Sequence, residues 1–133
     1  MLAVLTSATT AAQPLATISM EDSLFLRMLQ EKSFRYFWDE ANPATGLIKD
    51  RSTPSSPSSI AAVGFGVTSI CIAIDNGWIG RAEGRDRVLT TVRTFWYGDQ
   101  SPQRHGTIGY KGFFYHFLDP AKGTRFWNCE LSS

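Results

Sequence analysis

Ile60-Ala-Ala-Val-Gly-Phe-Gly-Val-Thr-Ser-Ile-Cys-Ile-Ala-Ile74 decides how the chain folds. The run carries no charged side chain, and its only hydroxyls are Thr68 and Ser69. Ser58 or Ser59 stands in front as a helix cap, and Asn76-Gly77 supplies a left-handed stop behind. The spacing therefore predicts a helix over about 59–75. A helix without a polar face has to be covered on all sides. Gly64, Gly66, Ala61, Ala62 and Ala73 would let neighbouring helices come close. Each glycine costs up to ~1 kcal/mol of helix propensity relative to alanine, so a packing or binding reason is expected for both.

The flanks supply the neighbours. Upstream, residues 21–40 predict an amphipathic helix. Ser19 is its cap, with Asp22 in the capping-box position. Phe25, Met28, Leu29, Tyr36 and Phe37 form its apolar side, and Arg27, Glu31 and Arg35 lie on the other. Asn42-Pro43 closes it, because the residue before proline is driven out of helical geometry. Downstream, residues 81–97 predict a second amphipathic helix, with Val88, Leu89, Val92, Phe95 and Trp96 as its buried stripe. The short Gly77–Gly80 link makes it the antiparallel neighbour of the apolar helix. Two long loops, 41–59 and 98–109, complete this part. Both lie on connections from an amphipathic helix towards the interior, so both fall at the same end of the bundle. Loops held by a rigid scaffold at one end are where binding residues gather. After Gly109 the period changes: residues 113–118 and 124–128 are aromatic runs around Asp119-Pro-Ala-Lys-Gly123, which predicts a β-hairpin. Glu130-Leu-Ser-Ser133 then reads as a cap for a further helix.

Composition narrows the function classes. The chain has 133 residues, 43% hydrophobic, and a net charge of +1. That balance argues against nucleic acid as a partner, and Glu83 and Asp86 interrupt the arginines at 81, 85, 87 and 93. Two cysteines, Cys71 and Cys129, are no disulfide framework and lack metal-ligand spacing; Cys71 reads as a small core residue. No stretch approaches the ~20 apolar residues of a membrane span. Residues 1–18 are uncharged, and Ala8-Thr-Thr-Ala-Ala-Gln13 looks like the small-residue end of a secretory signal. They read as a disordered extension or the remnant of a secretory signal, which would put the protein in the periplasm or outside the cell. Residues 19–133 form the folded unit.

Six runs, in order, carry a resemblance: Phe34-Arg-Tyr-Phe-Trp38, Gly46-Leu-Ile-Lys-Asp-Arg-Ser52, Gly64-Phe-Gly66, Gly77-Trp-Ile79, Gly109-Tyr-Lys-Gly-Phe-Phe-Tyr-His-Phe-Leu-Asp119 and Trp127-Asn-Cys-Glu-Leu-Ser132. Together they resemble the start of the bacterial glucoamylase-like domain, a family that includes endo-β-1,2-glucanases and has a related domain in cyclic β-1,2-glucan synthases. The resemblance implies a mainly α fold, the N-terminal portion of an (α/α)6 toroid, with the short β-hairpin near 113–128. It also implies that this chain is a fragment of that domain, inactive by itself. The uncovered apolar helix would then favour self-association.

The implied partner is a glucan or oligosaccharide, β-1,2-linked glucan being favoured, with no cofactor and no metal. Glycoside hydrolysis uses two carboxyl groups flanking the scissile bond. Glu130, in Glu-Leu-Ser, is the candidate catalytic or substrate-binding carboxylate; a capping or ion-pairing role is the plain alternative. Asp50 and Arg51 suit sugar hydroxyls, or else form a structural pair, and Ser52 beside them is weaker. Tyr110, Lys111, Tyr115, His116 and Trp127 complete the candidate binding set. Phe113 and Phe114 are further stacking candidates, although alternation along a strand sends only half of such side chains to one face. A non-catalytic carbohydrate-binding module is the other reading of the whole.

Overall fold

The computed structural model describes residues 17–132. The expectation for residues 1–18 therefore falls, up to residue 16, outside the described residues. In chain order the elements are α1 (Met20–Asp39), β1 (Ser58–Ser59), α2 (Ile60–Asp75), α3 (Arg81–Tyr97), β2 (Gly109–Tyr110), β3 (Phe113–Phe114) and β4 (Phe117–Leu118). The fold is mainly α, with two small antiparallel sheets, β1–β4 and β2–β3.

Local chemistry sets the helix starts. Ser19 Oγ accepts from the Asp22 N–H at 3.0 Å and donates to the Asp22 carboxylate at 2.7 Å, which satisfies an orphan donor of the first turn of α1. Ser59 does the same for α2, accepting from the Ala62 N–H at 3.1 Å. Ser58, the other cap candidate, is fully buried in β1, and its hydroxyl has no hydrogen-bond partner. α2 stops as expected, with Gly77 at φ +73°.

The two glycines of α2 have different reasons. Gly66 is buried under Ile48 and Phe37; a Cβ there would meet the Phe37 Cβ at 3.5 Å. Gly64 faces open space. The close approach of α3 to α2 comes from the other helix: a Cβ at Gly84 would stand 2.7 Å from Ile74 Cδ1 and 3.0 Å from Ile70 Cγ2.

Covering of the helices is one-sided, which corrects three expectations. On α2, Val63, Gly66, Ile70 and Ala73 are buried, but Phe65, Cys71 and Ile72 are exposed. On α1 only Phe34 is buried, and Phe25, Met28 and Leu29 are about half exposed. On α3 the buried residues are Gly84 and Thr91, while Leu89, Val92 and Trp96 face outward. The three helices are covered only on the faces they turn to one another and to the loop end. The opposite faces have no neighbour among the described residues, so their apolar periodicity is present without the burial it announces.

Two cores result. Phe34, Ile70 and Ala73, with Trp38, Trp78 and Val88 around them, hold the helices together. Arg87 caps that cluster with its guanidinium 4.3 Å from the Trp38 ring. The larger core sits at the loop end: Leu47, Ile48, Val63, Ile108, Tyr115, Leu118 and Cys129.

The first long loop interlocks there with the segment that follows the second loop and with α3. Ser58 and Ser59 pair with Leu118 and Phe117. Thr45 Oγ1 donates to the Pro120 carbonyl at 2.6 Å, and Thr94 Oγ1 donates to the Thr45 carbonyl at 2.7 Å. Gly46, at φ +69°, lies against the backbone of Thr91, where a Cβ would stand 2.8 Å from the Thr91 nitrogen. The expected hairpin is present as the bridge Leu118↔Arg125, around a turn closed by the Asp119 N–H on the Thr124 carbonyl at 2.8 Å. The regular ladders run elsewhere. Lys111 and Gly112, at φ +50° and +88°, supply a two-residue turn that folds β3 back on β2. β4 pairs with β1 on one side and with residues 125–126 on the other.

Candidate functional site

The first loop brings Asp50 and Arg51 to the loop end through its own turns. The Asp50 N–H donates to the Pro57 carbonyl at 2.8 Å, and the Arg51 N–H donates to Ser56 Oγ at 3.0 Å. The two side chains then meet, with Asp50 Oδ2 3.6 Å from Arg51 Nε. Arg51 is 81% exposed and Asp50 is 32% exposed, so the pair keeps free hydrogen-bonding capacity. Beneath them Tyr36 donates to the Lys49 carbonyl at 2.9 Å, and Lys49 is paired with Glu40 at 2.9 Å. Burial holds the Tyr36 phenol above its ordinary pKa, and the negative charges of Asp50 and Glu40 add to the effect.

The opposite wall is built by residues 125–132 running antiparallel to 114–118. Leu118 bridges Arg125, and the Phe126 N–H donates to the Phe117 carbonyl at 2.9 Å. Further along, the His116 N–H donates to the Glu130 carbonyl at 3.0 Å, and Tyr115 bridges Leu131. Between these two stretches the register slips over residues 127–129: Trp127 and Asn128 bulge outward and Cys129 turns into the core. Trp127 sits at the start of the bulge with φ +54°, a rare conformation for a bulky residue. Its ring is exposed and meets Phe117 and Phe126 edge-on, at 5.6 and 4.8 Å.

Between the walls lies a cleft of about 230 Å³, lined by Asp50, Arg51, Thr53, Ser55, Phe117 and Trp127 among others. Three of the sequence-derived candidates are thus brought together. Two more stand beside them. The His116 ring is 4.5 Å from that of Phe117, and His116 Nδ1 lies 4.0 Å from a Glu130 carboxylate oxygen and 3.5 Å from Ser132 Oγ. The Glu130 carboxylate is 76% exposed.

The remaining candidates go elsewhere. Tyr115 is buried in the core, with the Arg125 guanidinium 4.4 Å above its ring. Tyr110 and Lys111 sit at the β2–β3 turn, where the ammonium lies 5.2 Å over the phenol ring. Neither lines the cleft. Ser52 is exposed and also outside it. Thr53, Ser55 and Phe117 were not singled out from sequence. The first two belong to the Ser/Pro-rich stretch 52–59, whose only signal is that of a surface loop. Phe117 is hidden in the aromatic block, one ring among several. Among the described residues no group of three or more His, Cys, Asp or Glu side chains could hold a metal ion, and no helix is long and apolar enough to cross a membrane.

The fold is shared with proteins of known structure, β-1,2-glucanases among them. The exo β-1,2-glucooligosaccharide sophorohydrolase (non-reducing end) of Parabacteroides distasonis is 34% identical over 109 residues, which make up 80% of this chain and 14% of that protein. The endo-β-1,2-glucanase of Chitinophaga pinensis, solved with sophorotriose and glucose, matches with a TM-score of 0.62 at 26% identity, over 80% of this chain and 25% of its own. A Bacteroides uniformis protein provisionally named a glucoamylase matches with a TM-score of 0.64 at 28% identity, over 82% of this chain and 24% of its own. No family model matches the chain. This chain is a relative of the glucoamylase-like domain family and corresponds to one portion of the (α/α)6 toroid of its members. It spans about a quarter or less of the length of each of these relatives.

Proposed function

We propose that the loop end forms one wall of a glucan-binding cleft, and that β-1,2-linked glucose units are its ligand. The single observation that carries this reading is the exposed Trp127 ring, held on a left-handed backbone opposite the Asp50–Arg51 pair. An aromatic ring offers an apolar platform to one face of a sugar. A carboxylate beside a guanidinium accepts from and donates to its hydroxyls. The names of the relatives point to the same ligand: one acts on β-1,2-glucooligosaccharides and another was solved with sophorotriose.

Binding rather than turnover is the activity we assign to the isolated chain. Hydrolysis needs two carboxyl groups set about 5–9.5 Å apart across the bond. Asp50 is paired with Arg51, and Glu130 is an open carboxylate suited to hydroxyl groups more than an enclosed proton donor. In a complete domain Glu130 would serve the cleft as a catalytic or substrate-binding group. A periplasmic or secreted location belongs to the same reading.

Calorimetric titration of the 133-residue chain with sophorotriose, run beside a reducing-sugar assay, tests it. Binding without sugar release is expected, and Trp127→Ala should weaken binding roughly tenfold, about 1.4 kcal/mol. Equal affinity of Trp127→Ala and the parent chain would remove the cleft from the proposal.

A further inference from the structure

The bulge that carries Trp127 is closed by a side chain to which no role has been given. Arg125 stands at its upstream edge. Its Nε donates to the Cys129 carbonyl at 2.8 Å, and its Nη2 donates to the same oxygen. Cys129 stands at the downstream edge, so one guanidinium spans the base of the loop. Two further features hold that guanidinium. Its flat face lies 4.4 Å over the buried Tyr115 ring, and its own backbone N–H donates to the buried Thr107 carbonyl at 2.7 Å. The Cys129 side is fixed as well: the thiol accepts from the Phe117 N–H at 3.4 Å and lies 3.3 Å from the Phe117 carbonyl, to which it donates.

These bonds have a directional consequence. The two edges of the bulge are pinned to the same strand residue, since Phe126 and Cys129 both bond the backbone of Phe117. Trp127 and Asn128, between them, are exposed. With its ends tied at one point, the bulge has few conformations, and φ of +54° at Trp127 is the strained one that the closure enforces. Without Arg125 the Cys129 carbonyl loses both donors and only the bonds to Phe117 hold the base, which lets Trp127 relax towards negative φ and its indole swing away from Asp50 and Arg51. Glu130 follows directly on Cys129 and would move with it.

We infer that Arg125 is the positioning residue of the cleft: it clamps the base of the 127–129 bulge and thereby aims Trp127 across at Asp50 and Arg51. Its importance for ligand rests on the proposed glucan binding; the clamp itself does not. Lysine is no substitute, because one ammonium cannot reproduce the flat, forked donor set.

Fluorotryptophan labelling followed by ¹⁹F NMR separates these levels. The chain has 4 tryptophans, and Trp127→Phe assigns the resonance that matters. In Arg125→Met the Trp127 signal should shift and broaden while those of Trp38 and Trp78, in the helical core, stay where they are. Should Arg125→Met lose the dispersion of all signals, Arg125→Lys decides by the same criterion. An unmoved Trp127 signal in a folded variant overturns the clamp, and so does global loss of dispersion in both variants, which would make Arg125 a general folding residue. Sophorotriose affinity, measured on the same samples, should fall roughly tenfold or more with the local shift. A parent chain that does not bind sophorotriose would sink the glucan reading and leave the resonance test of the clamp intact.

Discussion

Leu47, Ile108 and Leu118 at the loop end are sealed from water, while Phe25, Phe65, Val92 and Trp96 on the helical body stand open to it. The contrast runs against the usual expectation that helices make the core and loops decorate it. Its cause lies in how each region closes. The loop end closes on itself, because residues 45–59 and 107–132 are bonded to each other by a strand pair and the Thr45 hydroxyl, and Thr94 of α3 ties the first loop down from below. The helical body offers further apolar faces that, among the described residues, neither its three helices nor the loop end covers. The cleft is therefore supported where the chain is most self-sufficient, and the unpartnered surface lies on the scaffold.

The sharpest way to break this contrast is at Gly46. Alanine there would force a Cβ onto the Thr91 backbone and leave a left-handed φ on a residue that dislikes it. We expect a loss of about 2–4 kcal/mol in urea unfolding. A change of under about 1 kcal/mol would show that the first loop is less tightly seated on α3 than this close approach implies.

A smaller effect tests the layer beneath the cleft. Tyr36 holds its proton more tightly in the folded chain than a free tyrosine, whose ordinary pKa is 10.0. Above that pH the unfolded chain loses the proton while the folded chain keeps it, so stability falls as pH rises through the window between the two values. Below it the contribution is fully present. Tyr36→Phe should remove this alkaline slope and cost about 1 kcal/mol at neutral pH, through the lost hydrogen bond to the Lys49 carbonyl. A slope that persists in the variant would assign it to another group.

The smallest expected change in stability falls on the helical body. Phe65→Glu replaces a ring that is 68% exposed on α2, and should alter stability by no more than about 0.5 kcal/mol. Sedimentation velocity of the parent chain should show self-association through this apolar surface, reduced in the variant. A strictly monomeric parent would mean that the bare faces are tolerated in water. A large loss of stability would mean that Phe65 packs more than its exposure suggests.

Much of this was legible residue by residue. Ser19 with Asp22, Ser59, Asn76-Gly77 and the short link before Arg81 define the three helices, because caps and stops act within a few residues of themselves. The resemblance carried by the blocks at 46–52, 109–119 and 127–132 pointed to the right relatives. The candidate site was legible in its members more than in its assembly. Asp50, Arg51 and Trp127 share a cleft, Glu130 and His116 flank it, and Tyr110, Lys111 and Tyr115 lie elsewhere. Periodicity says that a side chain is apolar, and strand alternation says that it points to one of two faces. Neither says which loop will lie opposite.

By itself, then, the sequence determined the helices, their order, and the end at which both long loops meet, because hydrogen-bond caps, turn residues and connection lengths are local. Tertiary structure alone decided the rest. It buried Gly66 and left Gly64 bare, exposed Cys71 on a helix that is apolar all round, and paired β4 with β1 as well as with its own hairpin arm. It also slipped the register at 127–129, so that a tryptophan faces Asp50 across a cleft. Burial and register depend on which surfaces meet across long sequence separations, and no local pattern encodes that.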